Sequence, residues 1–157
     1  MVKFNWHRAG IFGALFLITT SISAPALANR KSILIAARPV RKPLVVRGFI
    51  RGTVELHNLV GDRDKANRRC MGYGGAAPDH VLDISKGVSQ LSLQVRSSAK
   101  DTTLVIKGPN QSLFCADDSK FGKDAGINLT NLTPGRYQVW VGSFDARKNF
   151  SYQLSLR

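Results

Sequence analysis

The sequence predicts an all-β protein, an antiparallel β-sandwich of jelly-roll type with seven to eight strands and one disulfide. Apolar and polar residues alternate in short segments between residues 44 and 157, as in strands with one buried face. Glycine, proline and asparagine separate these segments, and no segment sustains a 3.6-residue period. The chain contains two cysteines, which suits a single cross-link.

Residues 1–28 are predicted to form a cleavable signal peptide. The N-terminal region is positively charged through Lys3, His7 and Arg8. An apolar run from Ala9 to Ile18 follows, and Ala26-Leu27-Ala28 is a small-residue cleavage site. The run is shorter than the roughly 20 apolar residues that a spanning helix needs. The processed chain is therefore expected to be periplasmic or secreted, with no transmembrane segment after cleavage.

The charge is uneven along the chain. The sequence has 23 Lys and Arg against 10 Asp and Glu, a formal net charge of +13, and most of the excess lies before Cys70. Residues 29–43 contain two prolines and five basic residues and are predicted to be a basic linker, although residues 32–37 are apolar enough for an edge strand. Residues 44–157 then form one domain.

The first segment of the domain presents a basic face. Because side chains alternate along a strand, Arg47, Phe49 and Arg51 share one side of it. The positive electrostatic field of a basic face attracts polyanions, so an anionic envelope surface or an acidic glycan is a candidate ligand. The alternative is that the face is simply exposed to solvent and binds nothing. Single-stranded nucleic-acid binders use similar mixtures, but export makes nucleic acid an unlikely partner.

The later segments define a predicted core. Pro134-Gly135, a pair typical of a type II turn, directly precedes the segment with Tyr137, Val139 and Val141. The inward-facing positions are predicted to be Leu91, Leu93, Val95, Leu104, Ile106, Tyr137, Val139, Val141, Tyr152, Leu154 and Leu156.

Cys70 and Cys115 are predicted to form a disulfide, since an even count of cysteines in an oxidising compartment favours one. A metal site built on the two cysteines is the alternative. It would need two further ligands, and His57 and His80 show no ligand spacing.

Three carboxylates fall close together in the sequence at Asp117, Asp118 and Asp124. Oxygen ligands of this kind suit calcium, although the spacing is not that of an EF-hand loop and Lys120 and Lys123 compete for the carboxylates. A solvated turn is the alternative. No other cofactor is expected.

Trp140 alternates with Val139 and Val141 and so faces away from the predicted core, or into a second layer. An exposed tryptophan can stack on a sugar ring, whereas packing under a loop would give it a structural role.

No catalytic constellation is expected, and the protein is predicted not to be an enzyme. Ser97-Ser-Ala-Lys100 matches the serine-x-x-lysine pattern of penicillin-interactive enzymes, but the partner motifs are missing. Asp79-His80 could orient an imidazole, yet His80 alternates with apolar residues and is expected to be structural.

From Cys70 onward the sequence contains a succession of motifs: Cys70-Met-Gly-Tyr73, Pro78-Asp-His-Val-Leu-Asp83, Asp101 to Pro109, Phe114-Cys-Ala-Asp-Asp118, Pro134 to Gly142 and Tyr152-Gln-Leu-Ser-Leu156. This succession resembles the bacterial pre-peptidase C-terminal (PPC-like) β-sandwich domains and small exported proteins built from one such domain. The resemblance implies a secreted accessory module that is not itself proteolytic, with calcium binding in some relatives in collagenolytic enzymes.

The predicted function is accordingly that of an exported, non-catalytic binding or accessory module of the cell envelope. The alternative is a carbohydrate- or calcium-binding accessory to a separate secreted hydrolase or peptidase.

Overall fold

Two β-sheets account for most of the described chain, residues 32–35 and 42–157 of a computed structural model. The predicted signal peptide, residues 1–28, and most of the predicted linker, residues 29–43, lie outside the described residues. Within the described ranges, no helix has the length and apolar character needed to cross a membrane.

The described elements are eleven strands and one short helix. In chain order they are β1 (Ser32–Ile35), β2 (Leu44–Arg51), β3 (Val54–Glu55), α1 (His57–Val60), β4 (Tyr73–Gly74), β5 (His80–Ile84), β6 (Val88–Arg96), β7 (Thr102–Lys107), β8 (Leu113–Ala116), β9 (Gly126–Leu132), β10 (Gly135–Ser143) and β11 (Asn149–Leu156).

Strand β10 is the centre of a seven-stranded sheet. It pairs antiparallel with β5 and with β7, and its last residue, Ser143, pairs with Tyr73 of β4. Strand β8 extends the sheet beyond β7, and β3 pairs with β4. At the other edge β1 pairs in parallel with β5, from Ser32 opposite Val81 to Ile35 opposite Ile84.

The second sheet has four antiparallel strands in the order β2-β11-β6-β9. Strand β11 pairs with β2 over its full length, from Asn149 opposite Arg51 to Leu156 opposite Leu44. Gly48 leaves the space that the Tyr152 phenol occupies, because a Cβ atom there would lie 2.2 Å from the Tyr152 hydroxyl oxygen.

A continuous apolar layer lies between the two sheets and confirms the predicted core. All eleven residues predicted to face inward are buried in this one cluster, and Ile50, Leu82, Ile84, Ile127, Leu129 and Leu132 join it. Full burial of one such aliphatic side chain contributes about 1.5–3 kcal/mol, so this layer is the main source of stability. The prediction of an antiparallel sandwich is confirmed.

A second apolar cluster covers the outer face of the seven-stranded sheet. Val105 and Trp140 project from β7 and β10 on the side away from the main core, and they pack with Leu56, Cys70 and Cys115. The prediction that Trp140 turns either outward or into a second layer is thus settled in favour of the second layer.

The segment from residue 61 to residue 72 holds this cover in place. Cys70 and Cys115 form the predicted disulfide across 45 residues of sequence. The buried Asp64 carboxylate accepts hydrogen bonds from the backbone N–H groups of Ala66, Arg68 and Cys115 at 2.9–3.1 Å and from the Arg68 guanidinium at 2.7 Å. Burial alone would raise the pKa of Asp64, but these hydrogen bonds outweigh it and lower the pKa.

The structure contains more strands than the seven or eight predicted, for local reasons. The alternation that starts at Leu44 continues in sequence to residue 57, but the chain leaves the four-stranded sheet at Gly52 and enters the other sheet as β3. Residues 73–74, predicted as loop, form β4. Within the predicted linker, Ser32–Ile35 forms the edge strand that the sequence had left as an alternative.

Replacement of both cysteines, Cys70→Ser with Cys115→Ser, is expected to lower the free energy of unfolding by about 2–4 kcal/mol, since the cross-link restricts the unfolded chain. Urea unfolding followed by intrinsic fluorescence measures the change. Reduction of the native protein should bring it to the stability of the variant, and the same reductant should leave the variant unchanged. Equal stability of the variant and the oxidised native protein would contradict the assigned role.

Candidate functional site

Two arginines flank a neutral residue on the outer face of the four-stranded sheet. Gln153 of β11 lies opposite Arg47 of β2 on one side and opposite Arg96 of β6 on the other. The three residues therefore form one row across three strands, and the arginine Cα atoms are about 10 Å apart at two strand spacings. All three side chains are exposed, and neither arginine forms an ion pair within the described ranges.

Two exposed phenylalanines border this row and contact cations. Phe49 follows Arg47 on the same strand face, and the Arg51 guanidinium lies 5.7 Å from its ring centroid. Phe121 lies on the other side, with Arg96 at 6.0 Å and Lys120 at 5.1 Å from its ring centroid. At exposed positions, cation–π contacts of this length stabilise each pair by about 0.5–1 kcal/mol. We call Arg47, Phe49, Arg96, Phe121 and Gln153 the cationic face.

The loop that carries Phe121 is anchored to the sheet by Gln94. The Gln94 amide donates toward the Ser119 hydroxyl at 3.1 Å and the Ala125 carbonyl oxygen at 3.2 Å. The Ser119 hydroxyl in turn accepts a hydrogen bond from the Phe121 N–H at 3.2 Å. These hydrogen bonds from Gln94 on β6 hold the loop, and with it the Phe121 ring, against the sheet.

Two open cavities lie along the cationic face. One has a volume of about 640 Å³ and the other about 660 Å³, and both are lined by Arg96, Phe121 and Gln153. The described polar residues around the second are mostly neutral: Ser92, Gln94, Ser119, Asn128, Gln153 and Ser155. Because they share part of their lining and follow each other along β11, the two cavities form one trough on the outer face of the four-stranded sheet. Each volume is within the range of small-molecule sites.

The sequence had placed Arg47, Phe49 and Arg51 on one strand face, and they do share it. Arg96, Phe121 and Gln153 were missed as members of the same surface. Arg96 and Gln153 each continue an alternation visible in the sequence, so their outward direction was predictable. Their register opposite Arg47 was not.

The acidic residues predicted to hold calcium are only partly brought together. Ligand oxygens of Asp117 and Asp118 lie within 4.8 Å of each other and of one from Asp101, a residue that the prediction did not include. Asp124 is not in this group, because its carboxylate accepts a hydrogen bond from the Ser97 hydroxyl. Lys123 occupies one side of the cluster, with Nζ 3.1 Å from an Asp101 oxygen.

The cluster is electrostatically unfavourable for Asp117. One carboxylate oxygen of Asp117 and one of Asp101 are buried and have no hydrogen-bond partner among the residues that the structure describes. Burial, followed by the negative charges of Asp118 and Asp101, raises the pKa of Asp117, and Lys123 opposes the shift. A divalent cation would relieve this repulsion, and Asp101, Asp117 and Asp118 are the residues that could hold one.

The position of Trp140 corrects the proposal that it stacks on a sugar. Only 5% of the residue is exposed, and both neighbours on its face, Val105 and Leu56, are fully buried. Segment 61–72 and the disulfide cover the side chain, so no ring face is open to a ligand.

The other reactive side chains have structural surroundings. His80 is buried as the sequence predicts, with Nε2 2.8 Å from the Tyr152 hydroxyl in the main core. Burial, with a smaller effect of Asp79, raises the pKa of Tyr152. The Ser97 hydroxyl lies 2.9 Å from the Lys100 carbonyl oxygen and accepts from the Lys100 N–H at 3.2 Å, so the serine-x-x-lysine segment is a turn.

Asp117→Asn is expected to stabilise the metal-free protein at pH 7. The raised pKa of Asp117 means that the folded state binds the proton more tightly than the unfolded state. Protonation of Asp117 therefore contributes to the free energy of unfolding. This contribution is fully present below the ordinary pKa of 3.8 and is lost as the pH rises through the pKa of the folded state. Melting temperatures at pH 3 and pH 7 in a chelator should show a gain for the variant that is larger at pH 7.

Asp62→Asn, which removes an exposed carboxylate outside the cluster, is the matched control and should show no such pH-dependent gain. A gain for Asp117→Asn of the same size at both pH values would contradict the electrostatic explanation.

Comparisons with known proteins find structural similarity but no sequence relative. No family model and no curated protein matches the sequence. The structure is similar to the pre-peptidase C-terminal domain of a collagenase from Bacillus anthracis, at 15% identity and a TM-score of 0.49, covering 82% of this chain and 96% of that one. It is also similar to a periplasmic inhibitor of g-type lysozyme from Aeromonas hydrophila, at 10% identity and a TM-score of 0.44, covering 81% and 96% of the two chains. At these identities and TM-scores neither similarity carries a conclusion about family or function.

Proposed function

We propose that this protein is an exported, non-catalytic module that holds an anionic component of the cell envelope on its cationic face. The observation that carries the proposal is the row Arg47–Gln153–Arg96. Two guanidinium groups, which have no carboxylate partner in the described part of the chain, lie on either side of a hydrogen-bonding amide. Guanidinium groups bind carboxylates, phosphates and sulfates through charge-assisted hydrogen bonds.

The charge around the row supports an anionic ligand. Lys120 lines the trough next to Phe121, and Arg157 lines it at the end of β11. Asp124 is the one acidic side chain among the described residues that line either cavity, and the Ser97 hydroxyl already donates to it. The field over this face is therefore positive and would also accelerate encounter with a polyanion.

A binding role without catalysis agrees with the surroundings of the candidate catalytic groups. His80 is hydrogen-bonded to the Tyr152 hydroxyl in the core. A carboxylate oxygen of Asp79 accepts a hydrogen bond from the Val141 N–H at 2.9 Å. Export agrees with the Cys70–Cys115 disulfide, since such bonds persist in oxidising compartments.

Simultaneous replacement of Arg47 and Arg96 by alanine is expected to weaken binding to heparin, used as a polyanion probe. A hydrogen bond to a charged group contributes about 1.5–3 kcal/mol, so the dissociation constant should rise at least about tenfold. Binding of the native protein should weaken steeply as salt is added. Titration calorimetry at two salt concentrations measures both effects.

Lys86→Ala with Lys107→Ala removes the same charge from exposed positions outside the cationic face and is the matched control. Equal losses in the two double variants would mean that net charge alone governs binding, and the proposed site would then be wrong.

A second candidate function is calcium binding, which the clustered oxygens of Asp101, Asp117 and Asp118 favour. Calcium is expected to raise the melting temperature of the native protein, because a ligand that binds only the folded state stabilises it. Asp118→Ala should abolish the rise, whereas Asp62→Ala should preserve it. An unchanged melting temperature at millimolar calcium would rule this candidate out.

A further inference from the structure

We infer that the cationic face binds the surface of an anionic phospholipid bilayer, with its exposed apolar side chains entering the interface and its cations on the headgroup phosphates. This inference rests on the proposed function and adds the chemistry of the partner. It follows from the position of the exposed apolar side chains, from the cations next to them and from the charge of the chain that enters β2.

Exposed apolar side chains border the cationic face on both sides. Val45 and Phe49 of β2 lie opposite Ser155 and Ser151 of β11, on the outer face of the sheet, and Phe121 lies next to Arg96 on the other side. These three apolar residues are 48%, 49% and 58% exposed. A purely electrostatic contact leaves such side chains in water, whereas interfacial binding buries them at the boundary of headgroups and acyl chains.

This surface holds most of the exposed large apolar residues in the described part of the chain. Six such residues are exposed within residues 32–35 and 42–157, and four of them belong to β2 or to the loop of Phe121: Leu44, Val45, Phe49 and Phe121. Exposed apolar groups that gather on one surface mark a site of interaction with a protein or a membrane.

Each of the two aromatic rings has a cation beside it. The Arg51 guanidinium lies 5.7 Å from the centroid of the Phe49 ring, and the Lys120 ammonium lies 5.1 Å from the centroid of the Phe121 ring. On a bilayer, the ring can enter the interface while its neighbouring cation meets a headgroup phosphate. The charge of this surface therefore favours an anionic bilayer over an uncharged one.

The arginine row supplies the contacts between the two rings. Arg47 and Arg96 lie on either side of Gln153, with their Cα atoms about 10 Å apart, so their long side chains can meet the same headgroup phosphate or two neighbouring ones. A guanidinium binds a phosphate through two parallel hydrogen bonds. The Asp124 carboxylate, the one acidic side chain among the described lining residues, already accepts a hydrogen bond from Ser97.

The chain that enters β2 adds positive charge at the same edge. Residues 29–43 contain five basic residues in the sequence. The last of them, Lys42, is exposed and directly precedes Pro43, which lines the trough together with Val45. Clusters of basic residues next to a membrane-binding element are attracted to anionic lipids.

Sedimentation with vesicles of equal parts phosphatidylglycerol and phosphatidylcholine tests the inference. Vesicles of phosphatidylcholine alone should bind the native protein at least about tenfold more weakly. Replacement of both Phe49 and Phe121 by alanine should weaken binding to the anionic vesicles at least about tenfold, because two rings no longer leave water. The same variant should keep its affinity for heparin within about twofold, since its charge is unchanged.

Leu34→Ala with Phe144→Ala is the matched control. It removes two exposed apolar side chains that line neither cavity, and it should bind the anionic vesicles as the native protein does. Equal losses in the two double variants would mean that apolar exposure anywhere on the protein governs vesicle binding, and the assigned surface would be wrong.

Tryptophan fluorescence measures insertion directly. Phe121→Trp should be quenched by anionic vesicles whose acyl chains carry bromine, because the indole would lie in the membrane interface. Phe144→Trp should be quenched no more than the native protein, in which Trp140 is buried in the cluster on the other sheet.

The outcomes distinguish failure of this inference from failure of the proposed function. If Phe121→Trp is not quenched, or if heparin binds and the anionic vesicles do not, the bilayer is the wrong partner although an anion-binding face remains. If the Arg47→Ala, Arg96→Ala variant binds both heparin and anionic vesicles as tightly as the native protein, the face is not the site and both proposals fail.

Discussion

The apolar layer between the two sheets is the constraint on which the remaining structure depends. Alternate residues of the long strands are committed to it, so their neighbours in sequence must point away. On β11, burial of Tyr152 and Leu154 fixes Gln153 outward, and on β6 burial of Val95 fixes the direction of Arg96. The strand residues of the cationic face are therefore the positions that alternate with the buried residues of the core.

The outer sides of the two sheets are used differently. The seven-stranded sheet is covered by a second apolar cluster around Trp140, which the Asp64 hydrogen bonds and the disulfide hold in place. The outer side of the four-stranded sheet has no comparable apolar cover among the described residues and carries arginine, glutamine, serine and asparagine. The uncovered side is where a ligand can reach the strands.

Much of the fold could be predicted from the sequence because it depends on local alternation. In β6, β7, β10 and β11 the apolar residues recur at every second position, and the same positions are buried in the structure. The short strands could not be predicted in the same way. Residues 73–74 are in a sheet because Ser143 lies beside Tyr73, and that neighbour is 70 positions away.

The candidate site was predictable only to the extent that it lies on one strand. Arg47, Phe49 and Arg51 could be grouped because they alternate within β2. Arg96 joins them only through the pairing of β11 with two partners, a relation between distant segments that alternation does not encode. For the same reason Asp101 replaced Asp124 in the acidic cluster. Proximity in the sequence suggested Asp124, whereas in the structure the Asp124 carboxylate accepts a hydrogen bond from Ser97 and lies outside the cluster.

The disulfide and the candidate ligand face belong to opposite sides of the sandwich. Cys70 and Cys115 secure the cover of the seven-stranded sheet, whereas Arg47 and Arg96 stand on the other sheet with the main core between them. A molecule that folds without oxidation would therefore keep the arginine row intact as long as the sandwich holds together. Affinity chromatography on an anionic resin would consequently enrich reduced and disulfide-bonded molecules alike, and the fraction that carries the cross-link has to be measured by thiol titration.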